Sequence, residues 1–308
     1  MGQLALTVLV TWFIVERVGL GLEELRGLEA SSWLPEPIPF LAASLLLLAA
    51  YFFSAALWGR IVQDLGGPKI PVGESIQLFM IANLGRYVPG KVWQITGLAA
   101  LAKSRGVPAA TGAGAAVLGQ GIALVAASAI GMGALLTGPE PYRTWGMIGG
   151  VAIGTLVVLL SIPSVFGAMS AFWFRMARTE APPQLGSVHG LRWLGLYTVN
   201  WAMYALSFWV LTVSLDLGGT LVPVASAFAA AYVLGYLMVF APAGLGPREG
   251  FLIVLLTPHF GAASSGMIAL VARLWTTVVE LVPAGLFWSN YISSSKRGKP
   301  EGKELVSE

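Results

Sequence analysis

Asn83-Leu-Gly-Arg86-Tyr-Val-Pro89-Gly90-Lys91-Val-Trp93-Gln94 and Val239-Phe-Ala-Pro242-Ala-Gly244-Leu-Gly246-Pro247-Arg248-Glu249-Gly250 read as two copies of one device. Each interrupts an apolar segment with Pro and Gly, and each brings charge into it. They stand about 150 residues apart, at matching places in the two halves of the chain. Interrupted helices at corresponding positions of two halves are the sequence mark of a transporter's binding site.

The surrounding composition is that of a membrane protein. Of 308 residues, 56% are hydrophobic and only 11% charged, against about 25% charged in soluble domains. Mean hydropathy is +0.76, and several apolar runs are long enough to cross a bilayer. The runs are continuous rather than alternating, so the spans are helices and not barrel strands. With no cysteine, disulfides and thiolate chemistry are excluded. The two histidines, His189 and His259, lie far apart without a ligand pattern, so no metal and no cofactor is expected.

Working outward from the two breaks gives an order of segments. Leu4–Leu20 reads as a retained first span, because no basic residue precedes Arg17 and no cleavage site is evident. Pro39–Val62 follows as the second span. Ser75–Val88 is short of the ~20 residues a crossing needs; Pro89-Gly90 breaks it and Lys91–Leu101 returns. Pro108–Leu136, Thr144–Val165 and Trp193–Leu215 read as spans, with Met169–Arg192 an interfacial segment and loop between the last two. Leu221–Ala241 and Pro247–Thr257 form the second broken segment, and Ala262–Tyr291 closes the membrane part.

Basic residues orient such a chain, because they favour cytoplasmic loops. Arg60, Lys69, Lys103, Arg105, Arg175, Arg178, Arg192, Lys296, Arg297, Lys299 and Lys303 fall on one side if both broken segments are hairpins. Both termini are then cytoplasmic, and the hairpins enter from opposite faces. The expected fold is an all-α polytopic membrane protein with about six full transmembrane helices plus two re-entrant helical hairpins in an inverted repeat. It forms one membrane domain, 1–292, with halves of about 1–140 and 141–292, followed by a disordered cytoplasmic tail, 293–308. The expected location is the cell (inner) membrane.

Four cations fall at membrane depth: Arg86, Lys91, Arg248 and Arg273, accompanied by Glu249 and Glu280. Asn83, Gln94, Gln120 and Asn200 add uncharged polarity. Each such charge costs about 2.5–3.5 kcal/mol even on the gentler insertion scale, so the set is expected to face water, each other or a ligand. Lys91 and Arg248 each stand at the start of a helix, where free N–H groups and the helix dipole favour an anion. A lipid phosphate is the natural candidate. The packing alternative pairs Arg248 with Glu249 or Glu280 and Arg273 with Glu280, and lets Lys91 snorkel to the surface. Trp93 is the tryptophan placed to touch a substrate; Trp12, Trp33, Trp58, Trp145, Trp193 and Trp288 fit an interfacial belt. The Gly112–Gly121 run fits close helix packing.

At the hairpins the chain resembles the lysylphosphatidylglycerol synthase transmembrane-region family, also described as flippase-like domain proteins. The residues carrying the resemblance are Asn83 to Gln94, Arg105-Gly106-Val107, Pro242 to Glu249, and Arg273. The resemblance implies an integral membrane protein of the lipid-flippase kind. In multidomain relatives a soluble aminoacyl-transfer domain makes the lipid, and that activity is not carried over to this chain. Where the family leads one to expect an acidic residue in the helix after the first hairpin, this chain has Gln120.

The functional expectation is a lipid flippase-like transporter that binds an anionic headgroup between the hairpins. That headgroup belongs to a phospholipid, glycolipid or polyprenyl phosphate. The expected substrate-binding residues are Arg86, Lys91, Trp93, Gln94, Arg248, Glu249, Arg273 and Glu280. The hairpin breaks are Pro89, Gly90, Pro242, Gly244 and Gly246. No nucleophile–base pair and no nucleotide-binding motif occurs in the sequence, so no enzymatic activity is expected. Membrane lipids are the expected partners, and nucleic acid is not. The competing reading is a non-transporting scaffold that binds lipid and recruits a lipid-synthesis enzyme or glycosyltransferase. A homodimer fits either reading.

Overall fold

The computed structural model describes residues 34–87, 92–138, 140, 142–176, 185–238 and 246–297. The expected first span Leu4–Leu20, the break residues Pro89, Gly90, Pro242 and Gly244, Lys91, and the tail beyond Arg297 lie outside the described residues. The helices are α1 (Pro37–Asp64), α2 (Val72–Asn83), a 3-10 turn (Leu84–Tyr87), α3 (Val92–Lys103), α4 (Ala109–Leu136), α5 (Tyr142–Ser161), α6 (Pro163–Met176), α7 (Ser187–Ser214), α8 (Leu221–Leu237) and α9 (Pro247–Arg297). No strand occurs among the described residues.

Proline and glycine set most of these limits. Pro37 opens α1 at its first turn, where a missing N–H costs nothing. Pro163 does the same for α6 and so ends α5 at Ser161. The expected span Thr144–Val165 is therefore two helices. Gly261 adopts φ 76°, ψ 167° inside α9, a conformation open to glycine and strained for other residues. It divides α9 into arms 247–260 and 262–297. The second arm continues to Arg297, six residues beyond the expected Tyr291, so the start of the expected disordered tail is helical.

Four helices among the described residues are long and apolar enough to cross a membrane: Pro37–Asp64, Ala109–Leu136, Ser187–Ser214 and Pro247–Ser293. The 28-residue α1, α4 and α7 are each about 42 Å long at 1.5 Å per residue, beyond the ~30 Å hydrocarbon layer. The 12-residue α2 and α3 reach only about 18 Å each.

The frame is an antiparallel pair, α1 with α7. At one end the Glu36 N–H donates to the Ser214 carbonyl at 2.7 Å. At the other end Arg192 and the Trp193 indole both donate to Asp64, the latter at 2.9 Å. Each of these helices leads into a helical hairpin through a related sequence. Asp64-Leu-Gly-Gly and Asp216-Leu-Gly-Gly are each followed, after three residues, by Pro-Val (Pro71-Val72 and Pro223-Val224). In the first hairpin, α2 and α3 run antiparallel: Glu74 and Arg105 form an ion pair at 3.1 Å at the base, and Gly85 lies against Trp93 and Gln94 at the tip. In the second, α8 and the 247–260 arm run antiparallel, with Gly219 against Phe260 at the base and Gly235 against Arg248 at the tip. Because α1 and α7 point in opposite directions, the two bases lie at opposite ends of the bundle.

The hairpins then dock crosswise. The first rests on the closing arm of α9, where the Gln77 amide reaches the Phe287 carbonyl at 3.4 Å. The second rests on α4, where a Cβ on Gly131 would lie 2.7 Å from the Ala230 nitrogen. That spacing admits glycine alone and lets two backbones touch, the usual means of helix adhesion in lipid. Two apolar clusters fill the interior. One is centred on Phe208, Leu256 and Ile268, the other on Trp58, Ile61 and Leu98.

Candidate functional site

The site is built where both hairpin tips reach the closing arm of α9. In the first hairpin, α2 ends at Asn83 and tightens into the 3-10 turn that carries Arg86 and Tyr87. Gly85 permits the tightening, since a Cβ there would lie 2.8 Å from the Trp93 carbonyl carbon. The Gln94 amide closes the tip by donating to Asn83 Oδ1 at 2.5 Å. Trp93 is half exposed at the opening of α3.

In the second hairpin, Gly246 sits at φ 89° immediately before Pro247 starts α9. The Gly246 N–H donates to Glu249 Oε2 at 2.8 Å. This is the return half of a capping box, which satisfies one of the donors a helix leaves open at its start. Gly235 on α8 lets the Arg248 backbone approach: a Cβ at Gly235 would be 2.7 Å from Arg248 Cβ and 3.0 Å from its Cα. The Arg248 guanidinium lies 4.8 Å above the Phe228 ring, a cation–π contact.

Arg273 and Glu280 are seven residues apart on the closing arm, hence two turns apart on one face, about 10.5 Å along the axis. Each takes a partner from a different hairpin. Arg86 Nη1 lies 3.3 Å from Glu280 Oε1 and donates to Oε2 at 3.3 Å, while the Tyr87 hydroxyl donates to Oε2 at 3.0 Å. Arg273 Nη1 lies 3.7 Å from Glu249 Oε1. Neither expected pairing of the packing alternative is seen among the described residues: Arg273 pairs with Glu249, not Glu280, and Glu280 pairs with Arg86. Arg248 has no carboxylate partner among the described residues. Three arginines face two glutamates, so the described cluster carries one net positive charge.

Beside it lies a layer of polar side chains within otherwise apolar spans. Asn200 donates to Ser54 Oγ at 2.6 Å, Ser54 and Tyr204 share a hydrogen bond at 3.0 Å, and Gln120 donates to the Tyr232 hydroxyl at 3.2 Å. Trp201 stacks obliquely on Tyr232 at 4.6 Å and on Tyr204 at 5.2 Å. Of the expected site residues, Arg86, Arg248, Glu249, Arg273 and Glu280 are brought together, and Gln94 serves the tip. Lys91 lies outside the described residues. Sequence reasoning missed Tyr87, although it stands inside the first motif. It also missed Tyr51, Ser54, Tyr204 and Tyr232. The signal for these was available as four hydroxyls placed within otherwise apolar segments.

Comparison with known proteins agrees with the resemblance carried by the two motifs. A family model described as the lysylphosphatidylglycerol synthase TM region matches residues 1–284. Searches of curated proteins and of solved structures returned no match. The chain belongs to the lysylphosphatidylglycerol synthase transmembrane-region family.

Proposed function

We propose that this protein is a lipid transporter, not an enzyme, which receives an anionic lipid headgroup between its two hairpin tips. The observation that carries the reading is Arg248. It stands in the first turn of α9 at a hairpin tip, without a carboxylate partner among the described residues. A cation held in that position costs several kcal/mol unless an anion or water meets it. The helix start adds N–H groups and the positive end of the dipole. A phosphate diester would neutralise the single net charge of the described cluster. Lys91, in the matching hairpin, is assigned to the same anion.

The same reading treats the hairpins as re-entrant and the halves as an inverted repeat. Three features support it. The two copies of Asp-Leu-Gly-Gly lead into the two hairpins. Helices α1 and α7 run antiparallel. Each hairpin docks on the last helix of the other half. Arg60, Lys69, Lys103, Arg105 and Arg192, with the acidic Asp64 and Glu74, lie at the end holding the first hairpin's base, whereas Glu36, Glu140, Asp216 and the single basic Arg143 belong to the other. Basic residues favour the cytoplasm, so the first hairpin opens inward and both termini are cytoplasmic. Movement of the lipid then follows from rocking of the halves about the central site.

The test is translocation of headgroup-labelled phosphatidylglycerol in vesicles reconstituted with the full chain. A charge-assisted contact is worth about 1.5–3 kcal/mol, so Arg248→Ala should slow translocation roughly 10- to 150-fold. Arg105→Ala, at the exposed base, should leave it unchanged. Normal rates in both Arg248→Ala and Lys91→Ala proteins would remove the proposed site.

A further inference from the structure

The two halves bury like positions unequally. Asp64-Leu-Gly-Gly and Asp216-Leu-Gly-Gly are 152 positions apart, and this offset sets the 28-residue α1 on the 28-residue α7 to within two residues. Ile38, Leu41 and Leu45 then match Gly190, Trp193 and Tyr197. Leu41 and Leu45 are 59% and 57% exposed, whereas Trp193 and Tyr197 are 3% and 5% exposed. The same offset sets the closing arm of α9 on α4, with Val278 on Ala126. Val278 is 57% exposed and Ala126 is fully buried.

The exposed positions line one groove. Ile38, Leu41 and Leu45 recur at helical spacing along α1, as Leu274, Val278 and Val282 do along the closing arm. The Trp275 indole donates to Ser44 Oγ at 2.9 Å, and Phe52 meets Phe287 edge-on, so the two helices run side by side in the same direction. At about 100° per residue, both stripes turn to the same side of that contact. In the second half, the elements that precede α7 supply cover. A Cβ on Gly190 would lie 2.5 Å from the Phe166 ring of α6, and one on Gly150 of α5 would lie 3.5 Å from Met132 Sδ on α4.

We infer that the chain's own N-terminal segment, Leu4–Leu20, docks in this groove as a helix antiparallel to α1. The inference rests on the inverted-repeat reading above. The segment stands before α1 as α5 and α6 stand before α7. The described chain begins at Leu34, at the head of the α1 stripe, and residues 21–33 allow the turn back towards it. As a helix, Leu4–Leu20 is about 25 Å long. The groove, from Ile38 past the Ser44–Trp275 bridge to Val282, is about 20 Å long at the same rise. Both surfaces are apolar, so the match is one of shape and close packing, the means by which helices adhere in lipid.

Disulfide trapping in the full chain tests this. The sequence has no cysteine, so an introduced pair supplies the only thiols. Val278→Cys is combined with a cysteine at each of positions 6–9 in turn, which together cover one helical turn, and the membranes are oxidised. Bonding needs Cα atoms within about 7 Å. The expected result is a bond within one chain for at least one of the four pairs, read as a mobility shift that a reductant reverses. Val158→Cys, on the exposed side of α5, should bond with none of them. Leu45→Cys against positions 10–13 reads the other wall if Val278→Cys fails to fold. No bond in either series overturns the inference and leaves the groove to lipid. A bond between two chains, read as a dimer band, overturns it in favour of a second copy. The repeat is tested separately: a membrane-impermeant maleimide should reach Ser104→Cys and His259→Cys from opposite sides. Labelling of both from one side removes the repeat and the docking together, whereas labelling from opposite sides without a disulfide removes the docking alone.

Discussion

Neutralising Glu280 tests the central ion pair, and the structure sets both the size and the asymmetry of the effect. Glu280→Gln keeps the shape and removes the charge. Hydrogen bonds to a charged group are worth about 1.5–3 kcal/mol and neutral ones about 0.5–1.5, so weakening those from Arg86 and Tyr87 costs about 1–2 kcal/mol. The substitution also strands Arg86. Stranding a fully buried partner costs about 3–5 kcal/mol, but the Arg86 side chain is 31% exposed and recovers part of this from solvent. The total comes to about 2–3 kcal/mol, or some 5–10 °C in Tm at about 2–4 °C per kcal/mol. Arg86→Gln leaves Glu280 behind instead, and that side chain is 3% exposed, so it should be the more damaging of the two. The double variant Arg86→Gln/Glu280→Gln strands neither charge and should be more stable than Arg86→Gln alone. The assay is thermal unfolding of the detergent-purified protein, followed by tryptophan fluorescence. Additive single effects, with a coupling below about 0.5 kcal/mol, or a milder Arg86→Gln, would refute the reasoning.

The other predictions concern the hairpins. Gly235→Leu drives a side chain into the Arg248 backbone, which approaches within 3.0 Å of an added Cβ. Overpacking of this kind costs about 1–3 kcal/mol, so the variant should lose both thermal stability and retention of anionic lipid. Glu74→Ala breaks an ion pair whose side chains are 37% and 38% exposed; exposed pairs are worth about 0–1 kcal/mol, and Tm should move by less than about 3 °C.

The hairpins were legible because Pro and Gly interrupt a helix by local stereochemistry, visible in a dozen residues. The exact break in α9 was harder to place. Pro258 looks like the end of the return arm, yet the chain stays helical to Phe260 and turns at Gly261, where φ is positive. The division at Pro163 was missed because the residues around it are mostly apolar, and hydropathy alone does not separate two helices from one. Which charges gather was legible from their cost in an apolar span. Which pairs they form was not: Arg86 and Glu280 are separated by 194 positions, and their meeting depends on how the first hairpin lies across the closing arm. The tyrosines of the polar layer were passed over for a related reason. A tyrosine in an apolar helix reads as bulk, and only neighbours from α7 and α8 join these rings and hydroxyls into one polar layer.

The crosswise docking has a consequence for biosynthesis. The first hairpin is made early, yet the carboxylate that neutralises Arg86 belongs to the closing arm and arrives only after α7, α8 and the turn at Gly261. Until then Arg86 is without its Glu280 partner. Ribosome-bound intermediates should therefore be recognisable to membrane chaperones and proteases up to the point at which Glu280 inserts. The last helix acts in this sense as the bolt of the assembly: a chain arrested before it lacks the contact that joins the first hairpin to the closing arm.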